Sequence, residues 1–229
     1  MSQRFRVVVP NLPGYGETPR GTSPRKGDIP HAAELIEAML AEVGQPLVVA
    51  GHSYGGVIAL RIASRNVIRP RALALFEPVA VRVLEAAGDM EAFVSARAFF
   101  DDYASRVEAG DAEAIRTMVE YWFGSGAFDR LPEAARTFLI RHARENARDV
   151  RATLQEEYSR ESLRRLTMPV LVVRGSRSPG MMQSICAHIG SHAAQGSLVT
   201  LDGATHAMTA THTEAVALLI SDLAGGSGA

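Results

Sequence analysis

Apolar and polar positions along this chain follow two different periods. Over residues 31–43, Ala32, Leu35, Ile36, Met39, Leu40 and Val43 fall on one face of a helix, and Gly44 is placed to cap it. A short unbroken apolar run follows, Leu47-Val48-Val49-Ala50, as expected of a buried strand. The segment Gly51-His52-Ser53-Tyr54-Gly55 comes next, and then a helix-like run from Gly56 to Ala63. Ala72-Leu73-Ala74-Leu75-Phe76 reads as another buried strand, closed by Glu77-Pro78. Near the start, Phe5 to Val9 reads as a short β-branched strand ended by Pro10, and Asn11 to Thr18 as a turn-rich loop. The loop continues through Ser23 to Pro30 with little order implied.

The alternation stops at residue 79. Residues 79–167 read as helical throughout, rich in Ala, Arg and Glu, with breaks at Gly110-Asp111, Gly124-Ser125-Gly126 and Leu131-Pro132. Aromatic residues concentrate there, and most are expected to pack the insertion's own core. Trp122 and Phe99, with His52 from the preceding segment, are candidates to line an apolar substrate pocket. The strand pattern resumes at Pro169 to Val173, followed by Arg174-Gly175. A further strand, Ser197 to Leu201, leads into Asp202-Gly203-Ala204-Thr205-His206. The last helix spans about Thr213 to Leu223, before a tail from Gly225 to Ala229. Strands joined through helices make a parallel sheet that binds ligands at the C-terminal ends of its strands. The expected class is therefore α/β, with a core of residues 1–78 and 168–229 and an all-helical insertion of residues 79–167.

Composition narrows the function classes. A chain of 229 residues that is 47% hydrophobic can bury one large core. Its net charge of −1 gives no reason to expect nucleic acid or an anionic membrane as partner. Cys186 is the only cysteine, so no intrachain disulfide forms, and with no signal-peptide core in Met1 to Arg6 a cytoplasmic location is expected. Lys26 is the only lysine, which reads as GC-rich bacterial coding.

The chemistry centres on Ser53. Strand, sharp turn and helix place its hydroxyl at an apex, with glycines at 51 and 55 where side chains flanking the serine are expected to clash. G-x-S-x-G arises by chance roughly 0.1 times in a chain of this composition, so the flanking strand and helix carry the specificity. A serine hydroxyl becomes nucleophilic when an imidazole takes its proton, and the imidazole needs a carboxylate to fix its tautomer.

These landmarks together resemble the α/β-hydrolase superfamily with a helical cap, over nearly the whole chain. Asn11 to Thr18 is similar to the family's segment after its fourth strand, Gly51 to Gly55 to its nucleophile elbow, and Gly203 to His206 to its histidine loop. The resemblance implies Ser53 as nucleophile, His206 as base and the Tyr54 N–H as oxyanion donor. His52 lies inside the elbow, and its side chain is expected to point away from the hydroxyl. His31, His142, His188, His192 and His212 read as surface or structural residues. The family's usual acid position falls on Ser178, which carries no charge. Some members place the carboxylate after the sixth strand, where this chain has Glu77. The order Ser53, Glu77, His206 also matches nucleophile, acid, base. Glu77 as a strand cap or a partner of a cap arginine is the competing reading, and Asp202 is a second candidate acid that reads better as part of a turn.

The chain departs from the family at its front. Three family strands precede the one that matches Phe5 to Val9, and the third carries half of the oxyanion hole. Its absence leaves an edge beside residues 47–50. Either the first strand shifts sideways onto that edge, or another chain covers it and makes a homo-oligomer, or the product is shortened and weakly active. The resemblance implies a serine hydrolase whose partner is a small-molecule substrate, a small or medium apolar ester, with no metal or organic cofactor. A carbon–carbon bond hydrolase, or a vestigial binding protein with the same shape, are the alternatives.

Overall fold

The computed structural model describes residues 4–19, 28–44 and 47–226. Residues 23–27 of the expected loop and 227–229 of the tail lie outside them. The elements run α1 (Ile29–Val43), β1 (Val48–His52), α2 (Tyr54–Arg65), β2 (Ala72–Phe76), α3 (Arg82–Ala87), α4 (Met90–Glu108), α5 (Ala114–Phe123), α6 (Ala127–Arg130), α7 (Glu133–Arg141), α8 (Ala143–Gln155), α9 (Arg160–Arg164), β3 (Pro169–Gly175), α10 (Gly180–His192), β4 (Gln195–Leu201), α11 (Met208–Thr211) and α12 (Thr213–Gly225).

Local signals set several boundaries. The Asp28 carboxylate accepts the His31 N–H at 2.7 Å and caps α1, with Pro30 in the first turn, and Gly44 ends the helix at φ 84°. The glycines at 110 and 124 adopt positive φ where α4 and α5 end, as the breaks in the sequence require. Between β2 and β3 the described chain is helical, α3 to α9, with no strand.

The four strands form one parallel sheet in the order β1-β2-β3-β4. Strand β2 is buried along its whole length. Leu73, Leu75, Val170 and Val172 face a large core shared with α1, α2, α10 and the inserted helices. Ala74, Phe76, Leu171 and Val173 face the other way, onto Met208 of α11 and Val216 of α12. Every crossover is helical, so all four C-terminal strand ends lie along one rim.

One expected strand does not form. Residues 6–12 carry no regular pairing, and Val9 is 84% exposed. An apolar cleft of about 260 Å³, lined by Val8, Val9, Leu12, Ile36, Val49 and Ile58, keeps this segment from β1. The β-branched run selects an extended backbone, but a strand also needs a partner within hydrogen-bonding distance, and that is set by distant residues. The sideways shift onto residues 47–50 is therefore not the arrangement adopted, and β1 is an edge strand among the described residues.

Candidate active site

Strand β1 ends at His52 and α2 begins at Tyr54, so Ser53 alone makes the turn, at φ 55° and ψ −123°. Such a conformation costs a non-glycine residue about 1–3 kcal/mol and persists only where the surroundings impose it. Here they do. Ser53 donates its N–H to Phe76 O at 3.1 Å, and its carbonyl accepts from Gly56, Val57 and Val79. A Cβ on Gly51 would lie 2.3 Å from Gly55 O, and one on Gly56 would lie 2.9 Å from Pro78 Cβ. Nothing lies within 4 Å of a Cβ at Gly55, which corrects the expected clash there. Strand and helix meet through Gly51, while Gly56, one residue later, is where α2 presses on the chain leaving β2.

Glu77 is the first residue beyond β2, and it too has positive φ, 44°. The only other non-glycine among the described residues with positive φ is Asn66, a helix C-cap, a place that tolerates it. The Glu77 side chain is fully buried. Its Oε1 accepts the Gly175 N–H at 2.7 Å and its Oε2 lies 2.7 Å from His206 Nδ1. Burial, the largest influence, pushes its pKa up. The hydrogen bonds from His206 and Gly175, with the Ser178 hydroxyl nearby, outweigh it and hold the group below its ordinary value. The buried Ser178 Oγ makes no well-aligned hydrogen bond of its own.

His206 arrives from the far side of the sheet. After β4 the chain turns at Asp202-Gly203, where Gly203 has φ 69° and donates its N–H to Ser176 Oγ at 2.8 Å. Ser176 in turn donates to Asp202 at 3.1 Å, so Asp202 is an exposed turn residue. A Cβ on Gly175 would lie 2.3 Å from Ala204 O: the loops after β3 and β4 cross at backbone contact and carry His206 over β3 toward β2. With Nδ1 on a carboxylate, Nδ1 is the donor nitrogen, which leaves Nε2 as an acceptor 3.0 Å from Ser53 Oγ. Hydroxyl, imidazole and carboxylate thus form one hydrogen-bonded chain across 153 and 129 residues of sequence.

The other candidates surround this chain unevenly. His52 Nε2 lies 2.8 Å from the carbonyl oxygen of His206, and its ring lies 4.7 Å from the His206 ring. Burial first, and the neighbouring His206 second, lower its pKa to about 4. Trp122 stacks on the His206 ring, 4.0 Å away at 21°. Phe99 is two rings further out, stacked 4.1 Å from Tyr121, which meets Trp122 edge-on at 5.1 Å. Tyr54 opens α2 directly after Ser53. Sequence reasoning missed Phe123, 6.5 Å from the His206 ring; no local signal separates it from its aromatic neighbours. The cleft beside β1 adjoins Gly51, His52 and Gly55 without reaching Ser53, Glu77 or His206. Among the described residues no group of three or more His, Cys, Asp or Glu is placed to hold a metal ion. No helix among them is long and apolar enough to cross a membrane.

A parallel sheet with a strained serine turn at the end of one strand defines a class, and the sequence agrees with it. Residues 1–218 match the model of the alpha/beta hydrolase family, and the chain belongs to that family. Among its relatives, a pimeloyl-[acyl-carrier protein] methyl ester esterase of Neisseria meningitidis serogroup C is 28% identical over 236 aligned positions, spanning 96% of this chain and 83% of that one. A hydrolase from Pseudomonas aeruginosa PA01 superposes with a TM-score of 0.71 at 21% identity, over 94% of this chain and 78% of its own. MenH from S. aureus superposes at 0.69 with 17% identity, over 93% and 80%. These two solved structures share the fold.

Proposed function

We propose that the protein is a serine esterase that cleaves a small or medium apolar carboxylic ester through an acyl-enzyme. The observation that carries this reading is the continuous chain Ser53 Oγ–His206 Nε2 at 3.0 Å and His206 Nδ1–Glu77 Oε2 at 2.7 Å. As the Ser53 oxygen forms its bond to the ester carbonyl carbon, its proton passes to His206 Nε2. Glu77 holds Nδ1–H and offsets the positive charge that the ring acquires. The carbonyl oxygen becomes an oxyanion, which the Tyr54 N–H at the N-terminus of α2 stabilises with the help of the helix dipole. The carbon–oxygen ester bond breaks, the alcohol leaves with the proton from His206, and water repeats the sequence to release the acid and regenerate Ser53.

In this reading the helices of residues 79–167 form a cap over the strand ends. Trp122, Phe123 and, further out, Phe99 give the acyl chain an apolar surface near the base, which favours apolar esters over charged ones. An esterase among the relatives supports ester chemistry.

Hydrolysis of p-nitrophenyl acetate and butyrate tests the reading. Wild-type protein is expected to release a burst of nitrophenol and then turn over steadily, and Ser53→Ala to do neither. Turnover by Ser53→Ala at the wild-type rate would refute it.

A further inference from the structure

The His206 imidazole has two flat rings beside it as well as a partner at each nitrogen. The Trp122 indole lies nearly parallel to it, with centroids 4.0 Å apart and planes 21° apart. The His52 ring lies 4.7 Å away, tilted by 40°. Hydrogen bonds to Glu77 and Ser53 fix the ring within its plane, but they resist tilting out of that plane only weakly. The nearly parallel indole opposes that tilt.

We propose that Trp122 is a positioning residue for the base: its indole holds the His206 ring in the plane joining Glu77 to Ser53 and stabilises the positive charge that the ring gains during turnover. This rests on the esterase reading above. Three observations support it. The indole is itself held, since its Nε1–H points at Met118 Sδ one turn earlier on α5, at 3.0 Å, and Tyr121 meets it edge-on. A tryptophan face is the best aromatic partner for a cation, and a largely buried setting strengthens the attraction. The second neighbour adds no competing charge, because His52 is neutral above pH about 4 and, facing a carbonyl, presents Nε2–H to it. Among the described residues the titratable groups beside the imidazole are Glu77 from the end of β2 and His52 from the end of β1, and the inserted helices contribute Trp122 in stacking contact and Phe123 further away. The approach of α5 to His206 therefore completes the base as well as shaping the pocket.

Trp122 is the only tryptophan in the chain, which permits a test without changing its shape. Biosynthetic replacement by trifluorotryptophan weakens the negative face of the ring and alters residue 122 alone. Trp122→Phe and Trp122→Leu extend the series. The readouts are the pH profile of kcat/KM for p-nitrophenyl acetate and the 13Cε1 NMR titration of His206, which needs no turnover.

From wild type to trifluorotryptophan to Leu, the acid limb and the NMR midpoint are expected to move to lower pH, by about half a unit in total. kcat is expected to fall about 3- to 10-fold while KM for this small ester stays within about twofold. Phe is expected to recover most of both. Unchanged midpoints across the series, with KM alone rising, would overturn the proposal and leave Trp122 as pocket lining. Midpoints that move across the series, when the wild-type protein hydrolyses no ester, would uphold the stacking and overturn the esterase reading instead.

Discussion

Glu77→Gln changes one atom of the site and should silence it. Gly175 N–H donates to Oε1 at 2.7 Å, so the amide oxygen of glutamine belongs in that place. The amide nitrogen then takes the place of Oε2, 2.7 Å from His206 Nδ1, and presents hydrogens to it. Nδ1 must become the acceptor, which moves the ring proton to Nε2, the nitrogen that has to receive the proton of Ser53. The flipped amide restores the tautomer but sets an NH₂ against the Gly175 N–H. An unsatisfied buried donor costs about 1–3 kcal/mol, so the flipped form is populated at roughly a tenth or less. Loss of the buried negative charge adds to this. Together they predict a kcat decrease on the order of 10³–10⁴, about 4–5.5 kcal/mol in the barrier. The assay is steady-state hydrolysis of p-nitrophenyl butyrate, with circular dichroism to verify folding and Asp202→Asn as the control expected to keep wild-type activity. A folded Glu77→Gln protein that retains more than a tenth of wild-type kcat/KM would show that residue 77 does not set the His206 tautomer.

The elbow sterics predict that Gly51→Ala lowers stability by about 1–3 kcal/mol or more, because its Cβ would meet a backbone oxygen, whereas Gly55→Ala stays within about 0.5 kcal/mol; chemical denaturation measures both. His52 has a depressed pKa when folded, about 4 against 6.5, so the unfolded chain takes up the proton first. Its contribution is complete above pH 6.5 and declines as pH falls toward 4, by about 2–3 kcal/mol, and His52→Gln should flatten that part of a melting-temperature profile against pH. Amides of residues 6–9 should exchange with solvent far faster than those of β2, and protection of both to the same degree would contradict the unpaired segment.

What the sequence made readable was local or periodic. The strand–turn–helix around Ser53, the buried run Ala72–Phe76 and the amphipathic α1 each follow from a pattern within about a dozen residues. Glu77 was accessible because a carboxylate at the end of a buried strand needs a partner, and chain order offered His206. The segment Phe5–Val9 shows the limit of propensity: its side chains favour extension, yet pairing depends on what stands beside β1. Gly55 was misjudged for a related reason, since the elbow pattern marks the position but only the path of Pro78 reveals that Gly56 is the confined one. The contacts of His52 and Trp122 with His206 cross 154 and 84 residues, and no periodicity encodes which aromatic of an insertion meets a loop that distant.

Catalysis depends first on His206 making Ser53 nucleophilic. Labelling with a fluorophosphonate, followed by peptide mass mapping, measures that directly, because the reagent reacts with an activated serine and scarcely with an ordinary one. A single adduct on Ser53 is expected, absent from Ser53→Ala and slowed at least 100-fold in a folded His206→Ala. Labelling of Ser53 at an undiminished rate without His206, or no labelling of the folded wild-type protein, would contradict it.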